Sequence, residues 1–293
     1  MKTLVIGIDA LDGRLVDRWR LAYLRLQERG PVTVPINKER KEPLSPEVWA
    51  TFLAGKHVAL EFMFQSDIPF ATHLHRLGHA VGKVIRPRTG LFLAAGRAAG
   101  IRMRFPLLKE RTFLDDCSSA WVNNPFRDFT QRHPHHFSRV QKCVEGHIPY
   151  PVFLSSLQED FSKDRRDILA AVRSTDADLL FCYLPYLDHL QHVFFKDEQL
   201  LRQGYGEMDQ FVRDCMAAAD ARLILVIADH GMQDGHHTST GYYASSRALD
   251  IAKPGIQVDI RDFYDVILAS LDLPTRVENK TIAERLSALG YFT

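Results

Sequence analysis

Three apolar segments of this chain each lead into an aspartate, and two of these acids have a histidine close behind. LVIGID closes on Asp9, LLFCYLPYLDHLQH runs through a short loop to Asp188 with His192 four residues later, and RLILVIADHG ends in Asp229 and His230. A second histidine pair, His236 and His237, follows. Ligands of an open α/β sheet collect outside the carboxyl ends of its strands, so the three strand-end acids should converge although sequence separates them widely. Convergent carboxylates repel one another unless a cation sits between them, and carboxylate oxygen with imidazole nitrogen suits zinc or manganese.

A hydroxyl joins this set. In KEPLSPEVWATFLAGK, Ser45 precedes Pro46, Glu47 and a helix-compatible run ending at Gly55. Ser is a preferred N-cap, Pro suits the first helical position and an acid suits the first turn, so a helix should start at Ser45. The N-terminus of a helix attracts anions. Ser45 is therefore a helix cap by its local pattern and a candidate nucleophile if a metal held by the strand-end acids lies beside it.

The elements that must position these groups can also be read. TLVIGI is a buried parallel strand. Arg14–Arg29 places Leu15, Trp19, Leu21 or Ala22 and Leu26 at helical spacing before Gly30, and PVTVP is a second strand, which together make a βαβ opening. Residues 61–151 are less regular, contain basic stretches such as KVIRPRTG, and form a candidate lid or cap inserted in a single domain spanning 1–293. Within them only SSAWVNNP, preceded by a short helix at Thr112–Cys117, reads as part of the sheet, and His133, His135 and His136, interrupted by Pro134, read as an exposed polar loop. Alternation then resumes with helices at Glu159–Arg173 and Glu198–Ala218 and strands at Asp178–Tyr183 and Leu223–Ala228. Asp259–Leu271 and Thr281–Leu289 are amphipathic and finish as helices. The fold class is α/β, a mostly parallel sheet with helices on both faces.

Composition removes some functions from consideration. With 37 Lys and Arg against 36 Asp and Glu, the charge gives no general reason to expect nucleic acid or an acidic membrane as partner. The longest apolar runs fall far short of a membrane span, and the six apolar residues near the N-terminus are too few for a signal peptide. Cys117, Cys143, Cys182 and Cys215 lie far apart without CxxC spacing and read as thiols of a reducing compartment, so the expected location is the cytoplasm.

In this order the motifs resemble the alkaline phosphatase superfamily, particularly its type I phosphodiesterase/nucleotide pyrophosphatase branch. GIDALDG is similar to the opening metal-aspartate motif, LSPEVWATFLAGK to the nucleophile motif, LDHLQH to the Asp-x-x-x-His pair and IADHGM to the Asp-His-Gly-Met motif. GHHTSTGYYAS is similar to the last metal-histidine segment, in which the ligand usually precedes a glycine by four residues; Gly241 then selects His237 over His236. Single motifs of this kind are weak, but five in register are specific.

The resemblance implies an alkaline-phosphatase-like fold and two divalent metals, commonly zinc with manganese possible. One would be held by Asp188, His192 and His237, the other by Asp9, Asp229 and His230 beside the Ser45 oxygen. It implies a small-molecule phosphate ester as substrate, in-line attack of Ser45 on phosphorus and a phosphoseryl intermediate. Asn123 or Asn124, after the SSAWV strand, could hydrogen-bond a phosphate oxygen or simply form a turn before Pro125. His189 falls out of ligand spacing, Asp12 reads as a turn residue before Gly13, and Thr51 as core or surface. Relatives usually carry a Pro…His-Gly stretch after the nucleophile helix, where this chain has GKHVALEFMF, so the substrate pocket differs. A phosphodiesterase is the leading expectation. A phosphomonoesterase or a phosphoglycerate-mutase-like phosphotransferase is the enzymatic alternative, and a metal-stabilised scaffold the non-enzymatic one. The Ser-Pro-Glu-Val setting argues against a sulfatase.

Overall fold

The computed structural model describes residues 1–38, 40–59, 64–65, 102–103, 108–127, 133–249, 251 and 257–276. Its central sheet has seven strands, β1 (Thr3–Ile8), β2 (Glu28–Thr33), β5 (Ser119–Val122), β6 (Leu179–Leu184), β7 (Leu223–Ala228), β10 (Thr240–Ser245) and β11 (Val258–Asp259), in the order β11-β2-β10-β7-β1-β6-β5. Two ribbons stand apart, β3 (Phe64–Gln65) with β4 (Arg102–Met103) and β8 (Met232–Gln233) with β9 (His236–His237). β1 pairs in parallel with β6 and β7, β5 with β6 and β11 with β2, while β10 runs antiparallel to both its neighbours. The sheet is thus mostly parallel, as expected.

The three central strands are buried at every position, as strands covered on both faces must be. Their alternation divides the core. Leu4, Ile6, Leu180, Cys182, Ile224 and Val226 face one layer, and Val5, Leu179, Phe181, Leu225 and Ile227 face the other. The helices are α1 (Gly13–Arg18), α2 (Ser45–Ala54), α3 (His133–Val144), α4 (Tyr150–Ser174), α5 (Tyr186–Phe194), α6 (Glu198–Ala218) and α7 (Phe263–Ser270). The first layer packs α3 to α6 through residues such as Val140, Phe161, Leu190 and Phe211, and the second packs α2 and α7 through Trp49, Phe52 and Ile267. No helix among the described residues is long and apolar enough to cross a membrane.

Several expectations are corrected. The helix read over Arg14–Arg29 is the six-residue α1. Asp209 of α6 captures the N–H groups of Tyr23 and Leu24, both at 2.8 Å, which diverts the backbone from helical bonding, and β2 already begins at Glu28. The second strand does not complete a βαβ unit beside β1, because two strands, β10 and β7, lie between them and β2 pairs with β10 and β11. The histidine-rich segment is not a loop, since α3 starts at His133, where Pro134 is tolerated in a first turn and Val140 and Cys143 anchor the helix to the core. Asp188 lies within the first turn of α5 rather than after a loop. The Glu159–Arg173 helix begins earlier, at Tyr150.

Other elements match closely. The short helix expected near Thr112 is a 3₁₀ turn at Phe113–Asp115 with a Thr112/Asp115 capping box, and Asp259–Leu271 becomes a 3₁₀ turn followed by α7. The expected helix at Thr281–Leu289 lies outside the described residues. The candidate lid at 61–151 is described only at 64–65, 102–103, 108–127 and 133–151.

One contact fixes the height of α2 above the sheet. Gly7 in β1 lies beneath the Trp49 indole, where an added Cβ would come within 2.8 Å of the ring. Trp49 is fully buried and meets Phe52 and Tyr183 edge-on, with ring centroids 5.8 and 5.4 Å apart, so it has little freedom to withdraw. Gly7→Ala should therefore destabilise the protein by about 1–3 kcal/mol through overpacking, measured as a lowered midpoint in chemical denaturation; an unchanged midpoint would show that α2 is free to lift.

Candidate metal centre

The carboxyl ends of β1 and β7 carry Asp9 and Asp229 as their next residues, and the start of α5 follows β6. All three ends lie side by side because β1 is flanked by β6 and β7. Asp188 and His192 are four residues apart on α5 and therefore share a face. His237 arrives by another route. Asp234 and Gly235 both have positive φ, 51° and 79°, and form a tight turn between β8 and β9 that brings His237 opposite Met232. Alternation along that short strand sends His236 to solvent and His237 inward, which separates the two histidines in the manner the four-residue step to glycine suggests. At Gly241 itself a Cβ would sit 2.3 Å from the Ala228 carbonyl oxygen, so β10 can pass this close to the end of β7 only without a side chain.

Ser45 is the first residue of α2, with Leu44 as the extended N-cap and no side-chain capping bond. The local expectation of a serine cap is thus corrected by one position, and the Ser45 hydroxyl is turned elsewhere. Its Oγ lies 3.0 Å from His230 Nε2 and donates to Asp9 Oδ1 at 3.3 Å. His230 Nε2 is in turn 3.4 Å from Asp9 Oδ1 and 3.3 Å from Asp229 Oδ2. These atoms form one focus.

The second focus involves Asp188, His192 and His237. His192 Nε2 is 3.2 Å from both Asp188 Oδ1 and His237 Nε2, and His237 Nε2 is 3.7 Å from Asp188 Oδ1. The His230 and His237 rings stack between the foci with centroids 3.8 Å apart. Ligand atoms within 4.8 Å of one another form two triples, Asp9 with Asp229 and His230, and Asp188 with His230 and His237, so His230 borders both. The 3.2 Å approaches keep His192 in the second focus. The structure therefore gathers all seven residues singled out by sequence as ligands or nucleophile.

The donor chemistry fits divalent cations. His230 Nδ1 lies 3.0 Å from the Gly231 carbonyl and His237 Nδ1 3.0 Å from that of Pro43, so each Nδ1–H has an acceptor and each Nε2 lone pair is left to face the centre. His192 and His237 point two ring nitrogens at each other, an arrangement that needs a proton or a metal between them. Asp188 Oδ1 and Asp229 Oδ2 are buried and lack a hydrogen-bond partner; Asp188 Oδ1 is near His192 at ion-pair distance but without hydrogen-bond geometry. Such orphaned oxygens, one in each focus, are what bound cations would satisfy.

Electrostatics reflects the same demand. Burial, reinforced by the charges of Asp229 and Asp188, pushes the Asp9 carboxyl well above its usual range. Burial pushes Asp229 up to about 7, and burial followed by the neighbouring His237 pushes His230 down to about 4. Asp188 behaves oppositely: burial would raise it, but His192 and His237 outweigh burial and hold it below the carboxylate range. The Asp188 charge correspondingly raises His192 to about 9.

Surrounding groups that sequence did not single out complete the site. The buried Tyr183 hydroxyl donates to Asp9 Oδ2, leaving Oδ1 toward Ser45 and His230. Gln191, on α5, donates to the Ala10 carbonyl at 2.8 Å. Tyr183 stands five residues before Asp188 in an apolar strand, and nothing in the local pattern distinguishes it from a core aromatic. Asn123 lies at the end of β5 with φ 60° and donates through Nδ2 to the Tyr183 carbonyl at 3.4 Å. Asn124 is buried and accepts from the Phe126 N–H, which is a turn role. His189 is buried on α5, Asp12 caps α1 and is held by Arg14, and Thr51 accepts from the Val58 N–H. His57 pairs with Glu47, the acid in the first turn of α2.

The central strand ends thus carry acids and histidines, and a serine-bearing helix faces them. The chain belongs to the type I phosphodiesterase / nucleotide pyrophosphatase family, whose sequence profile matches residues 37–282 and thus all the site residues except Asp9. As a member it is a hydrolase acting on phosphoric ester bonds. Among solved structures, alkaline phosphatase from the Antarctic bacterium TAB5 superposes with a TM-score of 0.51 at 8% identity, covering 94% of this chain and 98% of that chain. A Leishmania mexicana phosphoglycerate mutase matches with a TM-score of 0.33 at 14% identity over 39% of this chain, which spans 26% of that enzyme. No curated protein sequence matches the chain significantly.

Proton and metal should compete here, because Asp229 must be ionised to serve as a ligand. Zinc affinity is expected to fall as the pH drops through about 7. Without metal, the folded protein holds the Asp229 proton more tightly than the unfolded chain, so stability should be lost as pH rises through about 7, and further as His192 deprotonates near 9. Thermal melts of chelated and zinc-loaded protein between pH 6 and 9 check this: a decline confined to the chelated form is expected, and parallel curves would contradict it.

Proposed function

We propose that the protein is a phosphodiesterase of small-molecule phosphate esters that works through a phosphorylated Ser45 and two divalent cations, zinc or manganese. The observation that carries this reading is the Ser45 hydroxyl, which serves no cap and instead points into a focus of two carboxylates and an imidazole. In this reading Asp9, Asp229 and His230 hold one cation, and Asp188, His192 and His237 the other. Bound cations would supply positive charge that lowers the hydroxyl pKa and stabilises the departing oxygen.

The chain's own groups then have defined tasks. Ser45 Oγ, whose hydroxyl proton is given up to solvent, attacks phosphorus, and the P–O bond to one ester group breaks as the new bond forms. The departing alkoxide takes up a proton and leaves as an alcohol. Water then cleaves the phosphoseryl bond, releasing a phosphomonoester and restoring the hydroxyl. The first N–H groups of α2 have no intrahelical partners and favour the anionic oxygens near Ser45. Asn123, at the end of β5, is the proposed side chain for a phosphate oxygen. Cys117, Cys143, Cys182 and Cys215 are widely spaced in sequence and without CxxC spacing, a usage that favours a reducing compartment such as the cytoplasm.

Ser45→Ala should lower turnover of bis-p-nitrophenyl phosphate by roughly 10³-fold or more, with metal content and melting temperature near those of the unaltered protein because Ser45 neither caps α2 nor fills the core. Hydrolysis at the unaltered rate would reject Ser45 as nucleophile. A higher kcat/KM for p-nitrophenyl phosphate than for the diester would reject the diesterase assignment in favour of a monoesterase.

A further inference from the structure

Ala10, the residue after Asp9, has a left-handed backbone with φ 58°, a conformation that costs an alanine more than a glycine. Its peptide groups bridge the two halves of the centre. The Ala10 N–H donates to Asp229 Oδ1 at 3.2 Å, and its carbonyl accepts from Gln191 Nε2 at 2.8 Å. Gln191 lies on α5 between Asp188 and His192, so one backbone unit joins the ends of β1 and β7 to the helix that carries the other proposed ligands.

The orientation of the Gln191 amide is fixed by its partners. Nε2 faces two carbonyls, those of Ala10 and Leu187, the second at 3.2 Å, while Oε1 accepts from the Tyr205 hydroxyl at 3.1 Å. A flipped amide would place oxygen against both carbonyls. Tyr205 accepts from the Asp12 N–H at 2.9 Å, which ties down the far side of the same turn. Gln191 and Tyr205 are both buried, and these contacts are made among α5, α6 and the loop after β1.

We propose that Gln191 is a positioning residue that holds Ala10 in its left-handed conformation and thereby sets the spacing between the Asp9/Asp229/His230 and Asp188/His192/His237 foci. The inference rests on the reading of those residues as two metal sites. Gln191 touches no proposed ligand atom and acts through the Ala10 peptide, whose N–H orients Asp229 and whose carbonyl is tied to α5. Without the amide, the strained turn is free to relax, and the two sets of ligands lose their fixed relation.

The test is zinc binding to the full chain, by calorimetric titration and metal analysis, for the unaltered protein, Gln191→Met, Ala10→Gly and the double variant. Methionine keeps the length of the side chain and removes the amide. Gln191→Met should bind zinc about tenfold more weakly or worse, the loss typical of groups behind metal ligands, with an unchanged far-UV spectrum. Ala10→Gly alone should bind like the unaltered protein. In the Gln191→Met background it should recover part of the loss, because glycine adopts the left-handed conformation without the alanine penalty; simple packing by Gln191 would give no such recovery. If Gln191→Met does not fold, Tyr205→Phe, which removes the hydrogen bond to Gln191 Oε1, should weaken zinc binding in the same direction by a smaller factor. Tight zinc binding by Gln191→Met, additive effects in the double variant, or unaltered affinity in Tyr205→Phe when that variant is needed would overturn the inference while leaving the metal reading intact. Failure of the unaltered protein to bind two zinc ions would overturn the metal reading and the inference with it.

Discussion

Asp9, Asp188 and Asp229 converge where the protein leaves little room for water, and the rest of the centre is arranged around the repulsion this creates. A buried carboxylate needs hydrogen bonds, a counter-charge or a proton. Asp9 and Asp229 are driven toward protonation, whereas Asp188 is kept ionised by His192 and His237. One half of the centre thus holds protons and the other holds charged imidazole. In the proposed reading two cations would supply the positive charge that these protons and imidazoles provide, next to the unpartnered oxygens of Asp188 and Asp229.

The fold meets this constraint by topology. A parallel sheet puts the ends of β6, β1 and β7 beside one another, so groups far apart in sequence converge without a long excursion of the chain. α2 is pressed onto β1 by Trp49 over Gly7, which brings Ser45 to the Asp9 end of that strand. On the opposite side, the Asp234–Gly235 turn folds His237 back over His230. Rigid elements thus deliver Ser45 and the acids and histidines from different directions.

The parts legible in sequence were those with a local signature. Continuous apolar runs marked β1, β6 and β7, and acids at or just beyond their ends marked the centre. The spacing of Asp188 and His192, and the glycine four residues after His237, marked the proposed ligands. Where tertiary contacts override local pattern, sequence was misleading. Residues 14–29 carry helical periodicity, but Asp209 withdraws two of their backbone N–H groups. The histidine-rich segment reads as a polar loop, yet apolar residues further along it dock a helix. The supporting groups were not legible: Tyr183 and Gln191 act across 174 and 181 residues on Asp9 and Ala10, and no local pattern tells that Tyr183 is more than a core aromatic or that Gln191, inside the LDHLQH motif, reaches Ala10. Ala10 in its left-handed conformation is likewise invisible, since alanine carries no signal for positive φ.

The central claim is that two cations replace the protons and charged imidazoles of the centre. Anomalous diffraction at the zinc absorption edge, from crystals grown with zinc at pH 8, tests it most directly. Two peaks are expected, one bounded by Asp9, Asp229 and His230 beside Ser45, the other by Asp188, His192 and His237. An absence of peaks at these positions, with the carboxylates still paired to one another and to the histidines, would contradict the account.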